Sequence, residues 1–103
     1  MRIDVGVYTP ITVDLSNYKF EGREKVILTI KNFPDYAQPV IAEREYTEAK
    51  VYSDAITPEE SMKLRNGAVY DLDEITTDGK RYKLCDNKPI TLRKACGQCQ
   101  MKL

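Results

Sequence analysis

The chain has 103 residues, of which 42% are hydrophobic and 31% charged, a composition typical of a globular domain rather than of a disordered chain. This length fits one domain and is enough for a single hydrophobic core. Sixteen basic residues balance sixteen acidic ones, so no net field draws the protein to nucleic acid or to anionic lipid. Neither nucleic acid nor a membrane is therefore predicted as a partner.

The N-terminal residues and the cysteines predict the compartment. No apolar run approaches the ~18 residues of a membrane span, and residues 1–4 lack the charged and apolar sections of a signal peptide. The protein is therefore predicted to be made in a cytoplasm. Three cysteines agree with this, because an odd number does not indicate a disulfide framework. One disulfide with a third, free thiol is the alternative.

Apolar residues at every second position predict strands along the first half of the chain. The clearest strand has Val26, Leu28 and Ile30 on one face. An interruption at Pro10 leaves two alternatives for the start of the chain, one kinked strand or two short ones. The strands predicted before residue 56 cover residues 3–15, 25–31, 40–46 and 48–55.

A short helix is predicted to begin at Pro58, a residue that costs no hydrogen bond at the first helical position. Thr57 occupies the N-cap position and Glu60 lies three residues later, which completes a capping box. Asn66 and Gly67 tolerate the left-handed conformation in which helices commonly end. The helix is therefore predicted to have about two turns.

The Asp-Gly dipeptide at residues 78–79 predicts a hairpin with a two-residue type I′ turn. A strict register from that turn would set Leu84 against Asp73, an apolar side chain against an acidic one. One extra residue at Asp73-Glu74 would place Leu72 beside Leu84 instead. A β-bulge is therefore predicted at Asp73-Glu74.

Acidic residues of this hairpin have oxygen ligands that suit calcium, although their spacing is not that of a calcium loop. Alternation places Asp71 and Asp73 on the outward face of their strand, where Arg81 and Lys83 of the partner strand can pair with them. A solvated, charged edge is the interpretation favoured over calcium. The acidic residues concerned are Asp71, Asp73, Glu74 and Asp78.

A further turn is predicted at residues 86–88 and a last strand over residues 89–93, after which no periodicity remains. Seven or eight short strands with regular turn signals and one brief helix predict an all-β, antiparallel β-sandwich. The predicted domain covers residues 1–94, and residues 95–103 are predicted to form an irregular C-terminal tail.

Four motifs follow one another in a recognisable order: V-D-L-S at residues 13–16, V-I-L-T-I-K at 26–31, G-A-V-Y-D-L at 67–72 and D-G-K-R-Y at 78–82. This order resembles the immunoglobulin-like N-terminal domain of phage baseplate upper proteins, and small stand-alone prophage proteins of that type. The resemblance spans residues 13–92. It implies an immunoglobulin-like sandwich assembled into a virion, which acts through contacts with itself or with other virion proteins and without catalysis.

Cys96 and Cys99 are separated by two residues, a spacing found in zinc half-sites and in redox pairs. Only Cys85 offers a third sulfur, and the chain contains no histidine to complete four ligands. Inert thiols are therefore the favoured interpretation, and no metal or cofactor is predicted. Metal binding and disulfide or redox use of Cys85, Cys96 and Cys99 remain the alternatives.

Phe33, Tyr36 and Tyr46 lie near prolines and are the predicted partner-binding residues, because exposed aromatic side chains are enriched at interfaces. The alternative is that they cover the open end of the sandwich. The absence of tryptophan disfavours stacking on a sugar.

The sequence also limits the chemistry of the chain. The lack of histidine excludes nucleophilic catalysis of the Ser-His-Asp or Cys-His kind by this chain alone, and its five scattered glycines form no phosphate loop. The leading hypothesis is a non-enzymatic, self-associating structural or assembly module. The alternatives are a small metal-binding or redox protein centred on the cysteines, and a carbohydrate- or peptide-binding module that uses the loop around residues 33–36.

Overall fold

The structure is a computed structural model that describes residues 1–33 and 39–93. In this part of the chain, the strands are β1 Arg2–Asp4, β2 Thr9–Asp14, β3 Arg23–Lys31, β4 Val40–Tyr46, β5 Val51–Ile56, β6 Val69–Thr76, β7 Arg81–Pro89 and β8 Thr91–Arg93. One helix, α1 Pro58–Met62, lies between β5 and β6. The predicted all-β class with one short helix is confirmed, and the start of the chain forms two short strands rather than one.

Two layers of strands enclose the core. One layer is an antiparallel sheet with the strand order β4-β3-β6-β7, and the other contains an antiparallel β2-β5 pair and a β1-β8 pair. The β1-β8 pair is parallel, which differs from the purely antiparallel sandwich predicted. Side chains of both layers and of the segments that connect their strands form one buried cluster that includes Ile3, Ile11, Val13, Leu15, Val26, Leu28, Ile30, Ala42, Tyr46, Ile56, Leu64, Ala68 and Ile90.

Helix α1 begins as predicted but is shorter than predicted. Thr57 Oγ1 accepts a hydrogen bond from the Glu60 N–H at 3.1 Å, and Glu60 Oε1 accepts one from the Thr57 N–H at 3.0 Å, which confirms the capping box. The helix ends at Met62. Beyond it, the Asn32 side chain donates to the Lys63 carbonyl, at 3.0 Å, and so takes an acceptor that would otherwise extend the helix.

The turn of the β6-β7 hairpin has three residues, and the predicted two-residue type I′ turn is wrong. The Thr76 N–H donates to the Lys80 carbonyl at 2.8 Å, and the Gly79 N–H donates to the Thr76 carbonyl at 2.9 Å. Gly79 has φ +87°, the left-handed conformation that closes a three-residue loop. Side-chain bonds favour this wider loop, because Thr76 Oγ1 accepts from the Lys80 N–H at 2.9 Å and donates to Asp78.

The predicted bulge at Asp73-Glu74 is also wrong, because β6 pairs with β7 without interruption through both residues. The register shifts one position earlier, where Leu72 faces Cys85, so the extra residue is Leu84 on β7. The three-residue turn explains the difference. It moves the register of β7 by one residue and by itself would set Leu72 opposite Leu84, so no extra residue is needed on β6. The extra residue on β7 moves the register back, and Leu72 faces Cys85.

The turn predicted at residues 86–88 lies inside β7. Between the pairs Tyr70–Lys88 and Leu72–Cys85, β7 contains one more residue than β6, which makes a second bulge. Asn87 has φ +48° there, and asparagine tolerates this conformation better than most residues. The turn-forming residues 86–88 therefore produce a bulge within β7 and do not end the strand.

Candidate functional site

The first candidate surface is the loop end, which consists of residues 5–8, 32–33, 57–67 and Val40. It lies where β3 ends and where β4 and β6 begin, since Lys31 pairs with both Val40 and Val69. Ser61 is fully buried there, accepts a hydrogen bond from the Gly6 N–H at 2.9 Å and donates to the Pro58 carbonyl at 3.0 Å. These bonds fix helix α1 against the loop between β1 and β2.

The loop end concentrates exposed apolar side chains. Among the described residues, eight large hydrophobic side chains are exposed, and five of them belong to the loop end: Val7, Tyr8, Phe33, Val40 and Met62. Tyr8 and Met62 are the most exposed, at 69% each. Single exposed apolar residues are normal on a protein surface, whereas a concentration of them marks an interaction site.

Phe33 is the one predicted partner-binding residue that the structure places at the loop end. Its side chain is 44% exposed, and its ring lies against Gly67. A Cβ atom added to Gly67 would lie 3.2 Å from a ring carbon of Phe33. The Asn32 side chain, which accepts from the Arg65 N–H at 2.8 Å, holds the two loops together beside this contact. Tyr36 lies outside the described residues.

Tyr46 is buried, with 3% of its surface exposed, so its assignment to an exposed partner-binding patch is wrong. Its ring centroid lies 4.5 Å from that of Tyr52, and its hydroxyl donates to Asp54 Oδ2 at 3.0 Å. Burial raises the pKa of Tyr46 well above its ordinary value, and the Asp54 carboxylate raises it further. Tyr46 therefore stabilises the core, as the alternative of covering the sandwich implied.

Arg44, on β4, binds helix α1 of the loop end. Its guanidinium donates to both carboxylate oxygens of Glu60, at 2.7 and 3.0 Å, and to the Ala55 carbonyl at 3.1 Å. This bidentate bond raises the pKa of Arg44 and lowers that of Glu60. Because Arg44 belongs to β4, Ala55 to β5 and Glu60 to α1, one side chain connects three elements.

Four of the five exposed apolar residues of the loop end were not predicted from the sequence: Val7, Tyr8, Val40 and Met62. Tyr8 lies at the interruption between the first two strands, where the alternating pattern carries no information on burial. Met62 is the last residue of the short helix α1, and its side chain lies in solvent. The interruption of the alternating pattern at Tyr8-Thr9-Pro10 was the local signal that could have identified the first of these loops.

The second candidate surface is a groove of about 410 Å³ on the outer face of the four-stranded sheet. Its floor contains Asp71 and Asp73, which are only 3% and 2% exposed. The predicted solvated edge is therefore wrong, because β6 is an inner strand between β3 and β7. The residues that line the groove are Thr29, Lys31, Val40, Asp71, Asp73, Arg81 and Lys83.

The predicted ion pairs of this groove are present. Arg81 Nη2 lies 2.6 Å from Asp73 Oδ2, and Lys83 Nζ lies 3.2 Å from Asp73 Oδ1 and 3.4 Å from Asp71 Oδ2. Burial alone would raise the pKa of Asp71. The Asn87 N–H, which donates to Asp71 Oδ1 at 2.6 Å, and the ammonium groups of Lys83 and Lys31 outweigh burial and hold that pKa below its usual value.

The cysteines do not form a site in the described part of the chain. Cys85 is a half-buried free thiol on β7, and Cys96 and Cys99 lie outside residues 1–33 and 39–93. Within those ranges, no group of three or more His, Cys, Asp or Glu side chains is arranged to hold a metal ion.

No helix in the described ranges has both the length and the apolar character needed to cross a membrane. Comparisons with models of protein families, with curated proteins and with solved structures found no match. A functional assignment therefore depends on the residues and geometry of this chain and on the motif order of its sequence.

Proposed function

We propose that this protein is a non-enzymatic structural or assembly module of phage or prophage origin, of the baseplate or tail type, and that copies of it associate through the loop end. The motif order of the sequence and the β-sandwich architecture support the origin. The observation that carries the proposed contact is the concentration of exposed Val7, Tyr8, Phe33, Val40 and Met62 at one end of the sandwich.

The loop end is suited to binding because its loops are already fixed. Ser61 and Asn32 connect the loops by hydrogen bonds, so little conformational freedom remains to be lost on association. Burying Tyr8 and Met62 would remove apolar surface from water, at about 25 cal/mol per Å². A preformed apolar surface therefore binds with a more favourable free energy than a mobile surface of the same area, because less conformational entropy is lost.

Charge on and around the loop end favours a second copy as the partner. The chain carries no formal net charge, so two copies do not repel each other at long range. The exposed Glu59, Lys63 and Arg65 place both signs beside the exposed apolar side chains. In a contact with two-fold symmetry, the acidic residue of each copy can face a basic residue of the other.

Sedimentation velocity of the full chain over a micromolar concentration series tests this proposal. We expect the wild type to associate, and the double variant Tyr8→Ser, Met62→Ser to associate at least about tenfold more weakly. The matched control is Val51→Ser, which removes an apolar side chain that is 54% exposed on β5, outside the loop end. The control should associate as the wild type does.

Two outcomes would contradict the proposal. A wild type that stays monomeric over the whole series would exclude self-association, and an equal loss in the control would exclude the loop end as its location. Circular dichroism of each variant establishes that the compared proteins are folded.

A further inference from the structure

Strand β7 contributes little to the core. It forms one edge of the four-stranded sheet, and none of its nine residues is buried. Only Leu84 and Cys85 are half-buried, and two bulges interrupt the ladder that joins β7 to β6. Segments with few buried side chains and broken ladders open at a lower free energy than the rest of a fold.

The side chains of β7 nevertheless reach two buried carboxylates of β6. Arg81 contacts Asp73, Lys83 contacts both Asp71 and Asp73, and the Asn87 N–H donates to Asp71 at 2.6 Å. This last bond lies in the second bulge, where the regular ladder is missing. The aspartates therefore hold β7 at the positions where the backbone pairing is weakest.

We propose that Asp71 and Asp73 are an electrostatic latch that keeps β7 on the sheet, so that protonation of Asp71, or removal of either carboxylate, releases β7 while the rest of the sandwich stays folded. The charged groups that face the latch come from two strands. From β7 these are Arg81 and Lys83, and from β3 it is Lys31, whose Nζ lies 3.6 Å from Asp71 Oδ2.

The direction of the effect follows from the chemistry of the carboxylates. An ionised aspartate accepts charge-assisted hydrogen bonds, and a protonated or amide side chain loses the charge that holds the cations. Lys31, whose side chain is only 10% exposed, would then lose its charged contact with Asp71, which is costly. Arg81 and Lys83 are already 54% and 38% exposed, and only Leu84 and Cys85 of β7 are half-buried, so release of β7 disturbs less of the fold than global unfolding does.

Native-state amide hydrogen exchange of the full chain tests the proposal with Asp71→Asn and Asp73→Asn. Exchange of the β6-β7 ladder amides should accelerate on the order of 100-fold, whereas exchange in β2, β3 and β5 should change little. The matched control is Glu45→Gln at the opposite edge of the same sheet. It removes the Lys25–Glu45 pair, 3.0 Å apart, in which Glu45 is 49% exposed, and it should leave the rates unchanged because exposed pairs contribute little.

The wild type supplies a second test in case the variants do not fold. Lowering the pH below about 4 should accelerate β7 exchange, relative to unstructured peptide rates, before that of β3. Equal acceleration in all strands, in the variants or in the acid series, would show that the carboxylates support the whole fold and would overturn the proposal. Unchanged β7 exchange would overturn it as well.

Discussion

At the scale of single residues, Thr57 shows how a local signal sets an element boundary. Its side chain satisfies one backbone N–H at the start of α1, and Glu60 satisfies another in return. All of these groups lie within four consecutive residues, so the sequence alone predicts the bond. Glu60 also binds Arg44, which belongs to a distant strand, and no local pattern predicts that pair.

Replacing Thr57 by alanine should lower the free energy of unfolding by about 1 kcal/mol, because the Glu60 N–H loses its acceptor. Urea unfolding measures the change. Thr47→Ala, in an exposed loop residue, is the control and should have an effect within about 0.5 kcal/mol of zero. Equal losses for both variants would show that the cap contributes nothing specific.

The raised pKa of Tyr46 predicts that the free energy of unfolding falls at alkaline pH. Its folded-state pKa lies above the unfolded value, so its contribution is fully present below about pH 10 and is lost as pH rises through the folded pKa. Tyr46→Phe should therefore be less sensitive to alkaline pH than the wild type, while losing about 1 kcal/mol at neutral pH. Urea midpoints from neutral to alkaline pH measure both. Tyr82→Phe, at an exposed tyrosine, should follow the wild type.

At the scale of elements, alternation predicts where strands lie but not how they pair. Residues 40–46 were predicted as a strand and are β4, because the period of two is a property of the segment itself. The register of β6 with β7 differs from the predicted one because the turn between them contains three residues rather than two. The burial of Asp71 and Asp73 depends on strands on both sides of β6, which lie far away in sequence.

Two glycines allow the cost of a left-handed conformation to be separated from that of a close contact. Gly79 has φ +87° and open space around it, so Gly79→Ala should cost about 1 kcal/mol from the backbone conformation alone. Gly67 has φ +99° and also contacts Phe33, so Gly67→Ala should cost more. Urea unfolding of both variants measures the difference. Equal costs would show that Phe33 does not pack closely on Gly67.

At the scale of the whole molecule, carboxylates with lowered pKa values predict acid sensitivity. The pKa values of Asp71 and Glu60 are held below their ordinary values by their partners, so their contribution is present above about pH 4 and is lost as pH falls through the folded-state values. Urea midpoints should therefore fall with acid. The urea midpoint of Glu60→Gln should fall less with acid than that of the wild type. An identical fall would show that the Glu60–Arg44 bond does not contribute to the acid sensitivity.

The class of the fold was predictable from the sequence, whereas the candidate surface was predictable only in part. Phe33 was predicted as a partner-binding residue from its loop composition, and it is exposed. Tyr46 was misassigned because the inward face of its strand is set by the opposing sheet. Tyr8 and Met62 are exposed because short elements end beside them, which is decided by tertiary contacts such as the Gly6–Ser61 hydrogen bond.

The most direct test of association through the loop end is amide hydrogen exchange of the full chain, compared between a dilute and a concentrated solution. We predict that exchange slows on concentration at residues 6–8 and 59–63, and that residues 42–46 of β4 and strand β7 exchange at unchanged rates. Slowing along residues 42–46 or along β7 instead, or no change anywhere in the chain, would contradict the proposed contact.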